Sequence, residues 1–215
     1  MYGLPKSTEF NKKVPKNSFY EKLDVSNKIR EKFISDIQDI VWSHKIAENT
    51  INVPKGIEVT EIEVFKINLK LKNYSEDIIN LIDKKISYHI IFIISYENNA
   101  KVRLSYKKQN TKGEFSIEKT FETEWMPEYE IEIRISGLDL DKVYENIIRE
   151  IGSKELSQTK TADLETEIKN LEEREKLIKK IETLTKKKNR EKQVDRKLEL
   201  RTEIKKLEKE LEKLQ

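Results

Sequence analysis

From Asp163 to Gln215 the chain has no glycine and no proline, and its aliphatic residues recur at three- and four-residue steps. Leu164, Ile168, Leu171, Ile178, Ile181 and Leu184 make one stripe. Leu198, Leu200, Ile204, Leu207, Leu211 and Leu214 make a second. Such spacing predicts helix. The two stripes do not share a phase. Leu164, Leu171 and Ile178 hold one heptad position, while Leu200, Leu207 and Leu214 hold another. A single continuous coiled coil keeps one seam. A shifted seam therefore predicts a chain that turns back, a coiled-coil hairpin over 163–215 with each arm about 36 Å long. The turn is expected near Lys188–Glu191, with Asn189 as the residue best able to take a left-handed conformation. A straight helix that dimerises through the tail is the alternative.

The segment between the stripes reads KKKNREKQVDRK, residues 186–197. It holds seven basic and two acidic residues, a net of +5 in twelve positions. Folding back gathers this charge at one tip. Lys186, Lys187, Lys188, Arg190, Lys192 and Arg196 are therefore candidate contacts to nucleic-acid phosphate, with Lys12, Lys13 and Lys16 near the N-terminus as secondary ones. Contacts of this kind do not read sequence and weaken with salt. No aromatic residue is interleaved with these cations, so stacking on bases is not expected. The competing reading is a solvated charged tip.

Upstream, residues 1–17 carry Pro5 and Pro15 and read as a basic N-terminal arm. Residues 18–152 read as the α+β core, 153–162 as a polar linker. After the candidate cap Ser26, a helix is expected over about 27–44, placing Trp42 and His44 at its end. A loop follows over 47–59. Alternation predicts strands over 60–71, 88–96, 100–108, 114–122 and 128–135. The phase of the first flips between Val64 and Phe65, the mark of a bulge or of a strand covered on both faces. A short helix is expected after Ser75, and another after Asp139 or Asp141 that ends at Gly152. The resulting fold class is α+β: a mostly antiparallel sheet of about five strands, helices mainly on one face, then the helical tail.

Charge and composition limit the functions available. Charged residues make up 39% of the chain and apolar ones 36%, yet the net charge is only +3. Residues 1–55 carry +3, 56–152 carry −4 and 153–215 carry +4. With no cysteine there is no disulfide, zinc-thiolate site or thiol nucleophile. The longest apolar run, Ile90–Ile94, is far short of the ~20 residues that cross a bilayer, so no membrane partner is expected and a cytoplasmic location is. There is no glycine-rich phosphate loop and no nucleophile elbow, and no cofactor is expected. His44 and His89 do not have the spacing of a zinc site. His89 reads as a core histidine and His44 as a partner of a helix C-terminus. A metal-dependent nuclease needs acids on neighbouring strands. Glu61, Glu63 and Lys66 are the candidates, although they lack the Glu-x-Lys spacing. Glu122, Glu124, Glu128, Glu130 and Glu132 read as a solvent face or a blunted sheet edge, with a metal-binding patch as the alternative.

Several stretches resemble one family in sequence and in order: GLPKSTEFNKKVPKNSFYEKL at 3–23, IVWSHKIAENTINV at 40–53, EIEVFKINLK at 61–70, IDKKISYHIIFIISYE at 82–97 and EKQVDRKLEL at 191–200. The chain is identified as a member of the bacterial and archaeal family called domain of unknown function 4391, over essentially its whole length. The resemblance carries no catalytic residues. Members are often encoded beside DNA methyltransferases and superfamily 2 helicases, which implies a partner of that kind and a role in DNA modification or phage defence. The expectation is a non-catalytic accessory subunit that docks a helicase or methyltransferase. The alternatives are a divergent nuclease and a homodimeric structural protein.

Overall fold

The computed structural model describes residues 1–23, 26–110, 115–156 and 163–214. They form two compact units, Met1–Lys154 and Glu155–Gln215. The first is built on β1 (Glu9–Val14), β2 (Ile37–Ala47), β3 (Glu61–Leu69), β4 (His89–Tyr96), β5 (Asn99–Gln109), β6 (Phe115–Glu122) and the two-residue β7 (Met126–Pro127). The sheet order is β1-β2-β3-β4-β5-β6, with β7 beside β5. Every join is antiparallel except β3–β4, which is parallel. Parallel neighbours require a crossover, and α4 (Glu76–Lys85) lies between them in sequence. The sheet is thus mixed and larger than the five strands expected.

Strand β4 supplies the centre. Ile90, Ile91, Phe92, Ile93 and Ile94 are all fully buried, as a strand covered on both faces must be. On one face α1 (Lys16–Leu23), α2 (Asn27–Asp36) and α4 contribute Phe19, Phe33, Ile78, Ile79 and Ile82 to a core with Phe65, Ile67, Phe92 and Ile94. Ile90 belongs to that core. Its neighbour His89 therefore points to the opposite face, where its ring meets Tyr144 of α5 (Leu140–Ile151) at 4.7 Å. Helices cover both faces, which corrects the one-faced layering expected from sequence.

The helix expected over 27–44 stops at Asp36, and Ile37 opens β2. The spacing misleads because β2 carries two register shifts, at Ile37/Asp39 and at Trp42/His44. Each inserts an extra residue and breaks the two-residue period, so Ile37, Ile40 and Val41 mimic helical spacing. The second shift also accounts for the phase flip in β3, where Val64 and Phe65 face it and both are buried. Residues 1–17 pack into the sheet unit. Tyr2, Leu4 and Thr8 are buried, and Glu9–Val14 form the sheet's edge strand. Residues 128–135 are no strand. After Pro127 comes a 3-10 turn, Glu128–Glu130, and beyond it Ile131 and Ile133 bury their side chains without joining the sheet. A short helix, α3 (Glu48–Ile51), interrupts the expected loop 47–59.

Asp139 caps α5, accepting from Lys142 N at 2.9 Å. Asp141 has a different task. Its carboxylate accepts from the backbone N–H of Ile57, Glu58 and Val59 at 2.8, 3.2 and 2.7 Å. Gly56 beside it leaves no room for a side chain, since a Cβ there would stand 2.1 Å from Asp141 Oδ1. Gly152 ends α5 at φ −83°, not in the left-handed conformation of a C′ glycine.

The second unit is a helical hairpin. α6 (Leu164–Arg190) and α7 (Val194–Glu212) are joined by residues 191–193 and pack on each other. Asp163 caps α6, accepting from Thr166 N at 2.9 Å. Leu200, Ile204 and Leu207 of α7 are buried. On α6 the half-buried Leu177, Ile181, Leu184 and Lys188 keep the four-three-four step of a packed seam. Ile178, expected in that seam, is 41% exposed, and so is Leu198 at 63%. The linker residues 157–162 lie outside the described residues.

Candidate functional site

The turn of the hairpin is made by one side chain. Glu191 accepts from Lys192 N at 2.8 Å and from Gln193 N at 3.0 Å. Those bonds, and more weakly the charges of Arg196 and Lys187, hold its carboxyl below the usual range. Because the carboxylate satisfies the turn's N–H groups, the chain reverses with ordinary dihedrals. Glu191 sits at φ −71° and Gln193 at φ −78°. Asn189, expected to be left-handed, is helical. The turn falls at Glu191–Gln193, beginning at the last residue of the expected Lys188–Glu191.

The same geometry leaves the cations unpaired. Along the arms, three lysines find carboxylates: Lys169 lies 2.7 Å from Glu165, Lys176 3.9 Å from Glu172 and Lys180 3.8 Å from Glu203. At the tip, Lys186, Lys187, Arg190, Lys192, Arg196 and Lys197 are exposed, and none forms an ion pair among the described residues. Lys186, Lys187 and Arg190 line a shallow cleft of about 440 Å³ together with Thr183 and Glu191. Lys188 differs. It falls four residues past Leu184, in line with the seam, and is half buried. Lys197, absent from the candidate contacts, is exposed and belongs with them. The four-three spacing of the seam was the signal in the sequence that separates the two.

The secondary basic candidates are part of the sheet unit. Lys12 on the edge strand sits over the Phe10 ring, 4.4 Å from its centroid. Lys13 lies 3.6 Å from Asp39. Lys16 donates to the Ile37 carbonyl at 2.8 Å. Burial, with the nearby Lys70 charge, pulls its ammonium below the usual lysine range. Lys16 is therefore a structural contact that fixes the start of α1 to β2.

The acidic candidates diverge. Glu63 is 2% exposed and accepts from Trp42 Nε1 at 2.6 Å. Burial pushes its carboxyl up to about 7, against the pull of the Trp42 hydrogen bond and the Lys45 charge. Glu61 is paired with Lys45. Lys66 leaves the opposite face of β3, three residues from Glu63, and lies 2.5 Å from Glu128 Oε1. Tyr2 OH donates to the same oxygen at 2.7 Å, and Ser95 Oγ to Glu128 Oε2 at 2.7 Å. Burial alone would raise the Glu128 carboxyl, but these three donors outweigh it and hold the group below its usual range. Glu61, Glu63 and Lys66 thus do not converge on one site. Of the other acids in that region, Glu122 pairs with Lys101 at 2.9 Å, Glu124 with Lys154 at 2.9 Å and Glu132 with Arg134 at 3.2 Å.

Neither histidine is a surface group. His44 lies on β2 and not at a helix end. It is 1% exposed, with Nδ1 2.7 Å from Ser43 Oγ and its imidazolium disfavoured chiefly by burial. His89 is 4% exposed and packs between the rings of Tyr144 and Phe115. Burial and the Lys107 charge lower it to about 4. Among the described residues, no three His, Asp or Glu side chains are grouped so as to hold a metal ion, and no helix is long and apolar enough to cross a membrane.

These features define an α+β protein whose mixed sheet is layered between helices and whose C-terminal helices form a separate unit. The chain belongs to the family described as Domain of unknown function (DUF4391), whose model matches residues 2–211. No curated protein and no solved structure matches it.

Proposed function

We propose that the protein is a non-catalytic accessory subunit of a DNA-modification or phage-defence system. In this reading the sheet unit docks a helicase or methyltransferase, and the hairpin reaches nucleic-acid phosphates through its tip. One observation carries the second half: six exposed cations crowd the hairpin turn with no ion pair among the described residues. A merely solvated surface gains from interspersed opposite charges. A patch with only two acids to seven cations, one of them, Glu191, tied up in the turn, is prepared for an anion from outside. The first half rests on the family and on its expected gene neighbours.

The nuclease alternative has little geometric support, because Glu63 is buried against Trp42 and Lys66 leaves the other face of the strand. Two measurements test the proposal. Tagged full-length protein is expected to co-purify with a helicase or methyltransferase subunit encoded beside it. Replacing Lys186, Lys187, Arg190 and Lys192 together by glutamine is expected to keep that association while weakening nucleic-acid binding at least tenfold at 50 mM salt. Unchanged nucleic-acid binding by a folded variant removes the tip from the reading.

A further inference from the structure

We infer that the polyanion taken by the tip is a duplex, gripped along its phosphate ridges with no reading of bases. The inference rests on the phosphate-binding role proposed for the tip and names the ligand.

Three observations carry it. First, the tip is the end of two packed helices. Packed helices lie 8–10 Å apart and each is about 10–12 Å across, so the pair is roughly 20 Å wide. The major groove of B-DNA is about 12 Å wide and accepts one helix. The hairpin end must therefore ride on the ridges, where only phosphate is within reach.

Second, the cations stand on both sides of the turn. Lys186, Lys187 and Arg190 close α6, and Lys192, Arg196 and Lys197 surround the start of α7. A projecting patch of this shape suits a ligand whose phosphates are already ordered. A duplex presents about one charge per 1.7 Å of axis, and neutralising each phosphate releases more counterion there than on a single strand.

Third, residues 163–215 contain no aromatic side chain. Proteins that prefer single strands gain about 1–3 kcal/mol per base from aromatic stacking. Here a flexible strand would be ordered with no such return.

An anionic lipid surface is the other polyanion to weigh, because Val194 and Leu198 beside the cations are 80% and 63% exposed. Two aliphatic side chains are too few. A myristoyl chain, with many more methylenes, gives only marginal and reversible membrane binding.

The test uses the full-length protein and follows fluorescence anisotropy against a mixed-sequence 20-base-pair DNA duplex, a 20-nucleotide oligo-dT strand and phosphatidylserine vesicles, in 50–200 mM KCl. The duplex is expected to bind at least tenfold tighter than oligo-dT. Its affinity should fall with salt at a log–log slope of about −4 to −5, near −0.9 per phosphate neutralised. Scrambling the duplex should change Kd less than about twofold. The quadruple glutamine variant at Lys186, Lys187, Arg190 and Lys192 should flatten the slope by about 3 to 4, while Lys188→Gln should leave it alone. Oligo-dT bound as tightly as duplex, with the same dependence on the tip, overturns the duplex inference but keeps phosphate binding. Binding to every polyanion that ignores the quadruple variant overturns the proposed role of the tip itself. Vesicle binding lost in Leu198→Ser, without duplex binding, replaces the duplex with a lipid surface. Circular dichroism of each variant confirms that the hairpin is intact.

Discussion

The indole N–H of Trp42 donates to Glu63 Oε2 at 2.6 Å, joining β2 to β3 on the face of the sheet that α4 covers. The Trp42 ring is itself held between Phe10 of the edge strand, 4.1 Å away, and Phe65, 6.0 Å away. Glu63 thus fixes an aromatic that ties three strands together. Its carboxyl does so while 2% exposed, which is why burial raises it from 4.5 to about 7.

That raised value makes stability fall with rising pH. The folded protein holds the Glu63 proton more tightly than the unfolded chain does. The benefit is complete below 4.5 and is lost as pH rises through about 7. Glu63→Gln keeps an acceptor for Trp42 and removes the titration. At pH 8 it is expected to be more stable than the natural sequence by about 1–3 kcal/mol, since each tenfold change in proton affinity is worth about 1.4 kcal/mol. At pH 4.5 the two should be nearly equal. Urea midpoints at both pH values check this, and a variant less stable at pH 8 would mean that the ionised carboxylate is wanted.

His89 works in the opposite direction. It is neutral in the fold, with its value lowered from 6.5 to about 4 by burial and by Lys107. Its contribution is present above 6.5 and is lost as pH falls toward 4. At pH 5 the loss is about 2 kcal/mol. His89→Phe keeps a ring between Tyr144 and Phe115 and cannot charge. It should flatten the decline of stability between pH 6.5 and 4, read by thermal melts in that window.

A deeply buried ion pair predicts a non-additive pair of mutations. Lys107 Nζ lies 2.5 Å from Asp83 Oδ1, and donates to the Asp83 carbonyl at 2.6 Å and the Tyr88 carbonyl at 3.0 Å. Their side chains are 0% and 3% exposed. Burial lowers the lysine, and Asp83 only partly restores it. Removing one partner strands a charge. Lys107→Met is expected to cost about 3–5 kcal/mol. Adding Asp83→Leu should recover part of that loss, because it removes the stranded carboxylate and leaves only the two carbonyls without their donor. Equal destabilisation by the single and double variants, measured in a double-mutant cycle, would refute the pairing.

How far the sequence discloses this fold depends on whether one period governs each segment. Strands β3 to β6 and helices α4 to α7 follow from alternation, caps and apolar stripes in the chain itself. Strand β2 does not, because two extra residues in its ladder turn a period of two into something like 3.6. Segment 128–135 alternates perfectly, yet Pro127 and a 3-10 turn divert it from the ladder. Alternation encodes burial on one side, and hydrogen-bonded pairing is a separate matter decided by topology. At the candidate site, the charge cluster and the reversal of the tail are both legible. The means of the turn is not, since a glutamate side chain substitutes for the left-handed residue that turn chemistry would lead one to seek. Glu63 and Lys66 look adjacent in sequence, and only the parity of β3 sends them to opposite faces.

The hairpin offers a last contrast between two aliphatic residues of α7. Ile204 is 6% exposed and belongs to the seam with Leu200 and Leu207, while Leu198 is 63% exposed. Truncating a buried isoleucine removes packing and leaves a cavity, typically at a cost of about 2–5 kcal/mol. The same cut at an exposed position stays within about 0.5 kcal/mol. Ile204→Ala is thus expected to lower the melting temperature of the tail's helical signal clearly, and Leu198→Ala to leave it in place. The signal can be followed by circular dichroism at 222 nm. If Leu198→Ala proves as damaging as Ile204→Ala, its side chain is covered in solution. Sedimentation velocity of the full chain then shows whether a second copy covers it: a natural dimer that becomes a monomer in Leu198→Ala would place a second copy on that side of the hairpin.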